Sequence, residues 1–431
     1  MFKNITDGNK NAALLILVAA LGYFVDIYDL ILFNVVKKES LEHILPNELA
    51  EERTRIGIFL FNMQMTGMLV GGLLWGIWGD KKGRLSVLFG SILLYSLANI
   101  VNAMVTTVPL YAVVRFIAGV GLAGELGAGI TLVSEVMSKE KRGYGTMIIV
   151  TFGALGAVVA ALVGAEGHQI GVFLGSLFGI SIASWQVAYI MGGIMGLLLL
   201  LLRIGTIESS MFKNMKNHEH VAKGDLRILF KSKNHSIKYL SCVFVGVPIW
   251  FIIGLLVANS QEIFAPELGV QQPVINGTAL MFAYLGLSFG DLLSGLMSQF
   301  MRSRKKVIYI YLSFAVLLVL YFLYGMNGAS ANHYYGVSFL LGTASGYWAI
   351  FVTVASEQFG TNIRSTVTNT VPNFVRGSVP LITLSFGWLV QSSVTNIQAA
   401  LWVALVTFGI AFLSNYFLDE TFGKDLNYFE K

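Results

Sequence analysis

The sequence predicts an all-α membrane protein: twelve transmembrane helices in two pseudo-symmetric six-helix bundles, with both termini cytoplasmic. Three observations predict it. Of 431 residues, 55% are apolar and only 12% charged, against roughly 45–50% and about 25% in soluble domains, and the mean hydropathy is +0.70. The basic residues gather in loops that fall on one side only if the chain crosses twelve times. The sequence also repeats itself at half length.

The elements follow in order. Residues 1–11 are polar and carry Lys3 and Lys10. The apolar run from Asn11 to Val36 is too long for a signal peptide and contains Asp26 and Asp29, so it is the first span. Further spans lie near 55–79, 85–107, 108–136, 144–165, 184–203, 236–264, 272–300, 305–326, 333–357, 364–392 and 396–418. Residues 166–184 are apolar enough for another crossing. Counting them would turn the basic linker, with Arg203, Lys213, Lys216 and Lys223, outward, so they are not a separate span. The basic loops 80–84, 139–142 and 302–306 then share the cytoplasmic face. The outward loops are short apart from 37–54, where five glutamates offset the basic residues. The domains are therefore 1–203, a linker 204–235, and 236–431. A shift of 222 positions superposes Gly124 on Gly346, Thr131 on Thr353, Ser134 on Ser356, Glu135 on Glu357 and Arg142 on Arg364. Two parallel six-helix repeats form a transporter architecture with a substrate site between them near the midplane.

The composition excludes a soluble enzyme, a disordered chain and a secreted disulfide scaffold. Cys242 is the one cysteine, which excludes an internal disulfide or a cysteine metal cage. His218 and His220 flank Glu219 in a polar linker, where a solvated loop outweighs a metal site. Gly119, Gly121 and Gly124 fit a dinucleotide fingerprint by spacing. They lie inside a span with no preceding strand, and close helix packing explains them better, as it does Gly67, Gly71, Gly72 and Gly76. No Walker loop, zinc-protease motif or nucleophile elbow occurs.

The stretch Gly76-Ile77-Trp78-Gly79-Asp80-Lys81-Lys82-Gly83-Arg84 joins the second and third spans. It resembles the loop 2–3 signature of the major facilitator superfamily, with Leu85 in place of the last basic residue. Arg115 through Gly121 resembles the superfamily's helix-four motif. Its continuation through Gly124-Glu125-Leu126-Gly127, Ser134-Glu135 and Lys141-Arg142-Gly143 resembles the metabolite:proton symporter branch, with Ala123 replacing a glycine. Glu357 to Arg364 resembles the sequence before helix eleven, with Gly360 replacing proline. Val25-Asp26-Ile27-Tyr28-Asp29 and the segment 360–366 more loosely resemble phagosomal nutrient transporters of intracellular bacteria, which take up amino acids or nucleosides. The resemblance implies the major facilitator fold and conformational gating by Gly79, Asp80, Gly83, Arg84, Glu135, Arg142, Glu357 and Arg364.

Charged residues inside spans mark the mechanism. Asp29 and Arg115 sit at similar depth, about 10 Å below the outer surface, and are expected to form a proton-controlled pair; a static salt bridge is the alternative. Asp26 and Glu125 join them as proton-coupling candidates. Arg376, near Asn373, and Asp26 stand in opposite halves, so a carboxylate on the first and an amine on the second would hold a zwitterion; alternatively Arg376 pairs with Glu125 or Asp291. Tyr23, Tyr28, Trp250, Tyr284, Tyr347 and Trp348 are candidate aromatic lining, and Gln64, Asn34 and Asn369 candidate hydrogen-bonding groups.

The expected function is import of a small polar nutrient, foremost an amino acid, by proton symport with alternating access. An organic-acid or nucleoside symporter, a facilitator or exporter, and a nutrient-sensing receptor stand as alternatives. No enzyme activity and no cofactor beyond the proton gradient are expected, with sodium coupling left open. The expected partners are a small-molecule substrate and the lipid bilayer, without nucleic acid. The chain is expected to be a monomer in a bacterial cytoplasmic (inner) membrane.

Overall fold

The computed structural model describes residues 10–138, 142–178, 182–202, 224–392 and 394–430. Most of the linker, with His218, Glu219 and His220, lies outside them. Eleven helices among the described residues are long and apolar enough to cross a bilayer: α1 Leu15–Ile44, α2 Ala50–Lys82, α3 Arg84–Asn102, α4 Val108–Val136, α5 Arg142–Ala165, α6 Ser184–Leu202, α7 Lys233–Val257, α8 Asn276–Met301, α9 Arg304–Tyr324, α10 Ala331–Gln358 and α12 Asn396–Phe417. The twelfth, α11, runs as Arg364–Gly377 and then Val379–Gln391. Its first segment is polar yet almost wholly buried. Thr368, Asn369, Thr370 and Asn373 each return a hydrogen bond to the carbonyl four residues back, which satisfies their donors away from water.

Two expected boundaries shift. Residues 37–54 are not an open loop: α1 continues to Ile44 and α2 starts at Ala50. The Lys and Glu residues there are good helix formers, and Lys37 is held across the molecule. Residues 166–178 continue α5 without a break, giving one 37-residue helix, Arg142–Phe178. At 1.5 Å per residue it is about 55 Å long, well beyond a ~30 Å hydrocarbon core.

The two halves repeat in packing as well as in sequence. A Cβ on Gly67 would overlap the carbonyl of Phe116, and one on Gly119 that of Gln64. In the second half Gly286 meets the Phe339 carbonyl and Gly342 the Ala283 carbonyl in the same reciprocal way. Small residues let α2 cross α4, and α8 cross α10, at backbone contact. Between the halves, the repeat-related hydroxyls of Ser134 and Ser356 meet at 3.4 Å, so the pseudo-two-fold axis passes between them.

Besides α11, three spans depart from regular α-helix. Both α4 and α10 break midway, at Ala123–Gly124 and Gly346–Tyr347. Beyond Pro248, which donates no backbone hydrogen bond, α7 widens into π-helical turns at Phe251–Val257 and Ser260–Phe264. Such turns are rare and concentrate at functional sites.

Candidate substrate site and gates

The central cavity lies between the halves. Tyr23 and Ile27 of α1, Ala154 of α5, Ile249, Trp250 and Ile253 of α7, Tyr284 and Leu287 of α8, Trp348 of α10 and Arg376 of α11 line it. Its volume is about 10 Å³, room for roughly one water, so this conformation is closed around the site. Arg376 is fully buried. Its guanidinium lies 5.5 Å from the Trp348 ring centre and 6.0 Å from that of Trp250, within cation–π range. It donates to Asn373 Oδ1 and to the Tyr23 hydroxyl, both at 3.4 Å. Asp26 Oδ2 lies 3.8 Å from Arg376 Nη2. The two charges expected on opposite walls therefore form one ion pair, and Asp291 is engaged with Ala349 N rather than with Arg376.

Six expected residues converge here: Tyr23, Trp250, Tyr284, Trp348 and Arg376 in the lining, and Asp26 on Arg376. Others are engaged elsewhere. The Tyr28 hydroxyl donates to the Ala188 carbonyl at 2.8 Å. Asn373 Nδ2 donates to the Ala123 carbonyl at 2.7 Å, tying α11 to the break in α4. Tyr347 donates to the Val245 carbonyl. Glu125 opens the second segment of α4 and is buried.

The expected Asp29–Arg115 salt bridge is not made. Arg115 donates to Gln64 Oε1 and, at 3.4 Å, to the Tyr189 hydroxyl, with its guanidinium 4.4 Å from the Phe33 ring centre. Neutral acceptors and a ring face hold this cation. Both Asp29 oxygens are buried without a hydrogen-bond partner. The side chains of Gln64 and Tyr189 take the guanidinium instead.

On the face with the basic loops, the halves are locked. Asp80 accepts from Ser365 N (3.1 Å), Thr366 N (2.8 Å) and Thr366 Oγ1 (2.6 Å), capping α11 from the opposite half. Arg84 bridges Glu135 (2.9 Å), Asp80 (3.5 Å) and the Thr361 carbonyl (3.2 Å). Glu135 also takes Arg364 at 3.2 Å. Gly83 carries φ +105° at the tight turn, and a Cβ on Gly79 would strike the Ser365 side chain. The repeat of this lock is incomplete. Arg304 reaches Glu357 at 3.4 Å, while Arg142 leaves Nε and Nη1 without partners. All eight expected gating residues sit in this layer.

Three features escaped sequence reasoning. At the opposite end, Lys37 pairs with Glu262 at 3.1 Å, and Asn276 steadies Glu262 at 2.6 Å. Near the lock, residues 418–430 dock on the α10–α11 turn. There Arg364 donates to the Leu426 carbonyl and Thr361 N to the Tyr428 carbonyl. Asp291, considered from the sequence only as a partner of Arg376, is buried and accepts from Ala349 N instead. Sequence offered only isolated charges at the ends of apolar runs as a signal.

The profile described as the Major Facilitator Superfamily matches residues 19–371. A Bacillus subtilis protein named for niacin/nicotinamide transport is 30% identical over 46% of this chain and 45% of its own. The Escherichia coli 3-(3-hydroxy-phenyl)propionate transporter is 26% identical over 59% of this chain and 58% of its own. The Acinetobacter baylyi benzoate transport protein is 28% identical over 43% and 37%. The chain thus spans about half the length of the first of these relatives. Among solved structures, the proton:xylose symporter XylE superposes with a TM-score of 0.71 at 17% identity, covering 96% of this chain and 98% of that one.

Proposed function

From the premise that this chain belongs to the Major Facilitator Superfamily, we propose that it is a secondary transporter. In this reading it imports a small organic acid with a planar apolar body by proton symport, across a bacterial cytoplasmic membrane. One observation carries the reading: a buried arginine, Arg376, stands between two indoles at the central cavity. A guanidinium matches a carboxylate bidentately, and Trp250 and Trp348 would stack on a flat body. The names of the relatives, for niacin, 3-(3-hydroxy-phenyl)propionate and benzoate, support this chemistry.

Mechanistically, the substrate carboxylate would compete with Asp26 for Arg376. Protonating Asp26 removes that competition, so proton and substrate bind together, and the refilled site lets the halves rock. Asp29 and Glu125 remain proton-coupling candidates in the first half. Conversion to the inward-facing state would break the Asp80–Thr366 and Glu135–Arg364 contacts and leave Lys37–Glu262 in place. An amino acid is the second reading, favoured by Asp26, whose carboxylate would take an amine beside Arg376.

The test is uptake into proteoliposomes with an alkaline lumen. Labelled aromatic acids, amino acids and nucleosides are supplied as separate pools, with a protonophore control and protein-free liposomes to subtract passive weak-acid entry. Protonophore-sensitive accumulation of the aromatic acids supports the reading. Accumulation of amino acids alone favours the second, and exchange indifferent to the gradient refutes symport.

A further inference from the structure

We propose that Asp291 is a second proton-carrying residue, placed one helical turn beneath the substrate cavity at the break in α10. The inference rests on the symport reading and goes beyond it, because it assigns coupling to the second half of the molecule. Tyr284, Leu287 and Asp291 are spaced three and four apart, so they share one face of α8. The first two line the cavity, and Asp291 continues that face toward the basic-loop end.

Asp291 is fully buried. Its Oδ1 accepts from Ala349 N at 2.8 Å, at the start of the second segment of α10. Its Oδ2 has no partner. The groups that face it are neutral: Tyr311 of α9, which donates to the Gly290 carbonyl; Ser294, which donates to the Gly346 carbonyl; and Tyr23 of α1 across the cavity. Among the described residues no Lys, Arg or His nitrogen lies within ion-pair distance. An ionisable group inside a membrane bundle is costly and is kept where its charge is used.

The geometry gives the charge a task. A carboxylate at a helix start is stabilised by the N-terminal dipole, and its bond to Ala349 N is charge-assisted. The segment it holds begins at Trp348, whose ring faces Arg376. When a proton adds to Oδ2, the bond to Ala349 becomes an ordinary neutral one, roughly half as strong. Trp348 is then freer to follow the substrate. The proton leaves when the basic-loop end opens, and the carboxylate again fixes the break.

Asp291→Asn tests this, since the amide keeps the shape and the acceptor for Ala349 N but cannot titrate. In proteoliposomes with labelled niacin, or the acid selected by the pooled assay, the variant is expected to retain substrate exchange within about 2-fold of wild type. Its gradient-driven accumulation ratio is expected to fall to ~1, and the pH dependence of exchange to flatten. Accumulation at the wild-type ratio overturns the proposal. Should exchange be lost as well, proton uptake by the purified protein on substrate addition in weak buffer decides. At least one proton fewer per substrate than wild type upholds the proposal, and an equal count overturns it. If wild-type protein takes up no proton, the symport reading itself fails; if only Asp29→Asn or Asp26→Asn changes the count, that reading stands without Asp291.

Discussion

Replacing Asp80 with Asn should shift the molecule toward the state open on its basic-loop side. In the closed state Asp80 takes three hydrogen bonds from α11 of the other half, at 3.1, 2.8 and 2.6 Å, and lies 3.5 Å from Arg84. The bonds to α11 cannot survive separation of the halves, so their loss acts on the closed state alone. A hydrogen bond to a charged group is worth about 1.5–3 kcal/mol net. Asn keeps one acceptor oxygen and turns a donor toward Thr366 N, so at least one such bond is lost. A ~2 kcal/mol loss raises the open fraction about 30-fold, at ~1.4 kcal/mol per decade. Ser356 is fully buried on the pseudo-axis against Ser134, and Cys242 is also buried. Ser356→Cys in a Cys242→Ser background therefore reports opening when an impermeant maleimide is applied to inside-out vesicles. Asp80→Asn should raise its labelling rate by more than tenfold. An unchanged rate would refute the view that this cap holds the gate shut.

Four further outcomes follow from the same geometry. Arg376→Lys should raise the half-saturation concentration of a transported acid at least tenfold, because an ammonium cannot make the planar bidentate contact; an unchanged value in uptake assays excludes the carboxylate role. Lys37→Glu and Glu262→Lys should each expose the opposite end to labelling, and the two together should restore closure; failure of the double variant to recover would mean that the 3.1 Å pair is not a gate. Gly286→Ala and Gly342→Ala, each forcing a methyl into a facing carbonyl, should destabilise by about 1–3 kcal/mol, whereas Gly336→Ala and Gly409→Ala, which meet open space, should not; thermal unfolding in detergent measures the difference. Glu420 is held below its ordinary range although burial pushes it up, because Ser303 Oγ and the backbone N–H groups of Arg304, Phe422 and Lys305 donate to it. A lowered carboxyl stabilises above its unfolded value and stops as pH falls through the folded one. Glu420→Gln should therefore lower the unfolding temperature at pH 7, with the gap narrowing as pH drops below ~4.5.

The spans were legible because each is a run of about 20 apolar residues between charges, and that pattern reflects solvation by lipid rather than tertiary detail. The lock was legible through Asp80, Arg84, Glu135 and Arg364, whose motif positions carry charges where an apolar core should be. Position along a helix can be counted from the sequence, but azimuth cannot, as Asp29 and Arg115 illustrate. Whether two side chains at one level meet depends on what stands between them, here Gln64 and Tyr189. The shift of 222 exposed the Ser134–Ser356 axis but missed the glycine crossings. Gly67 and Gly286 are offset by 219 and Gly119 and Gly342 by 223, because loop lengths differ between the halves. The π-helical turns of α7 left no trace, since an apolar run on all sides has no period to read. The pairing of Asp26 with Arg376 was hidden because it joins residues 350 positions apart.

The unbroken run of α5 to Phe178 has a mechanical consequence. A projection of roughly 20 Å, residues 166–178 at 1.5 Å per residue, extends the span, on a helix whose apolar part packs against α1 of the first half and α8 of the second. It behaves as the needle of a gauge: a small rotation of its bundle at the midplane becomes a larger sweep at its tip. A spin label near residue 176, paired with one on the exposed start of α12, would turn the closing of a cavity the size of one water into a displacement easily read by electron paramagnetic resonance.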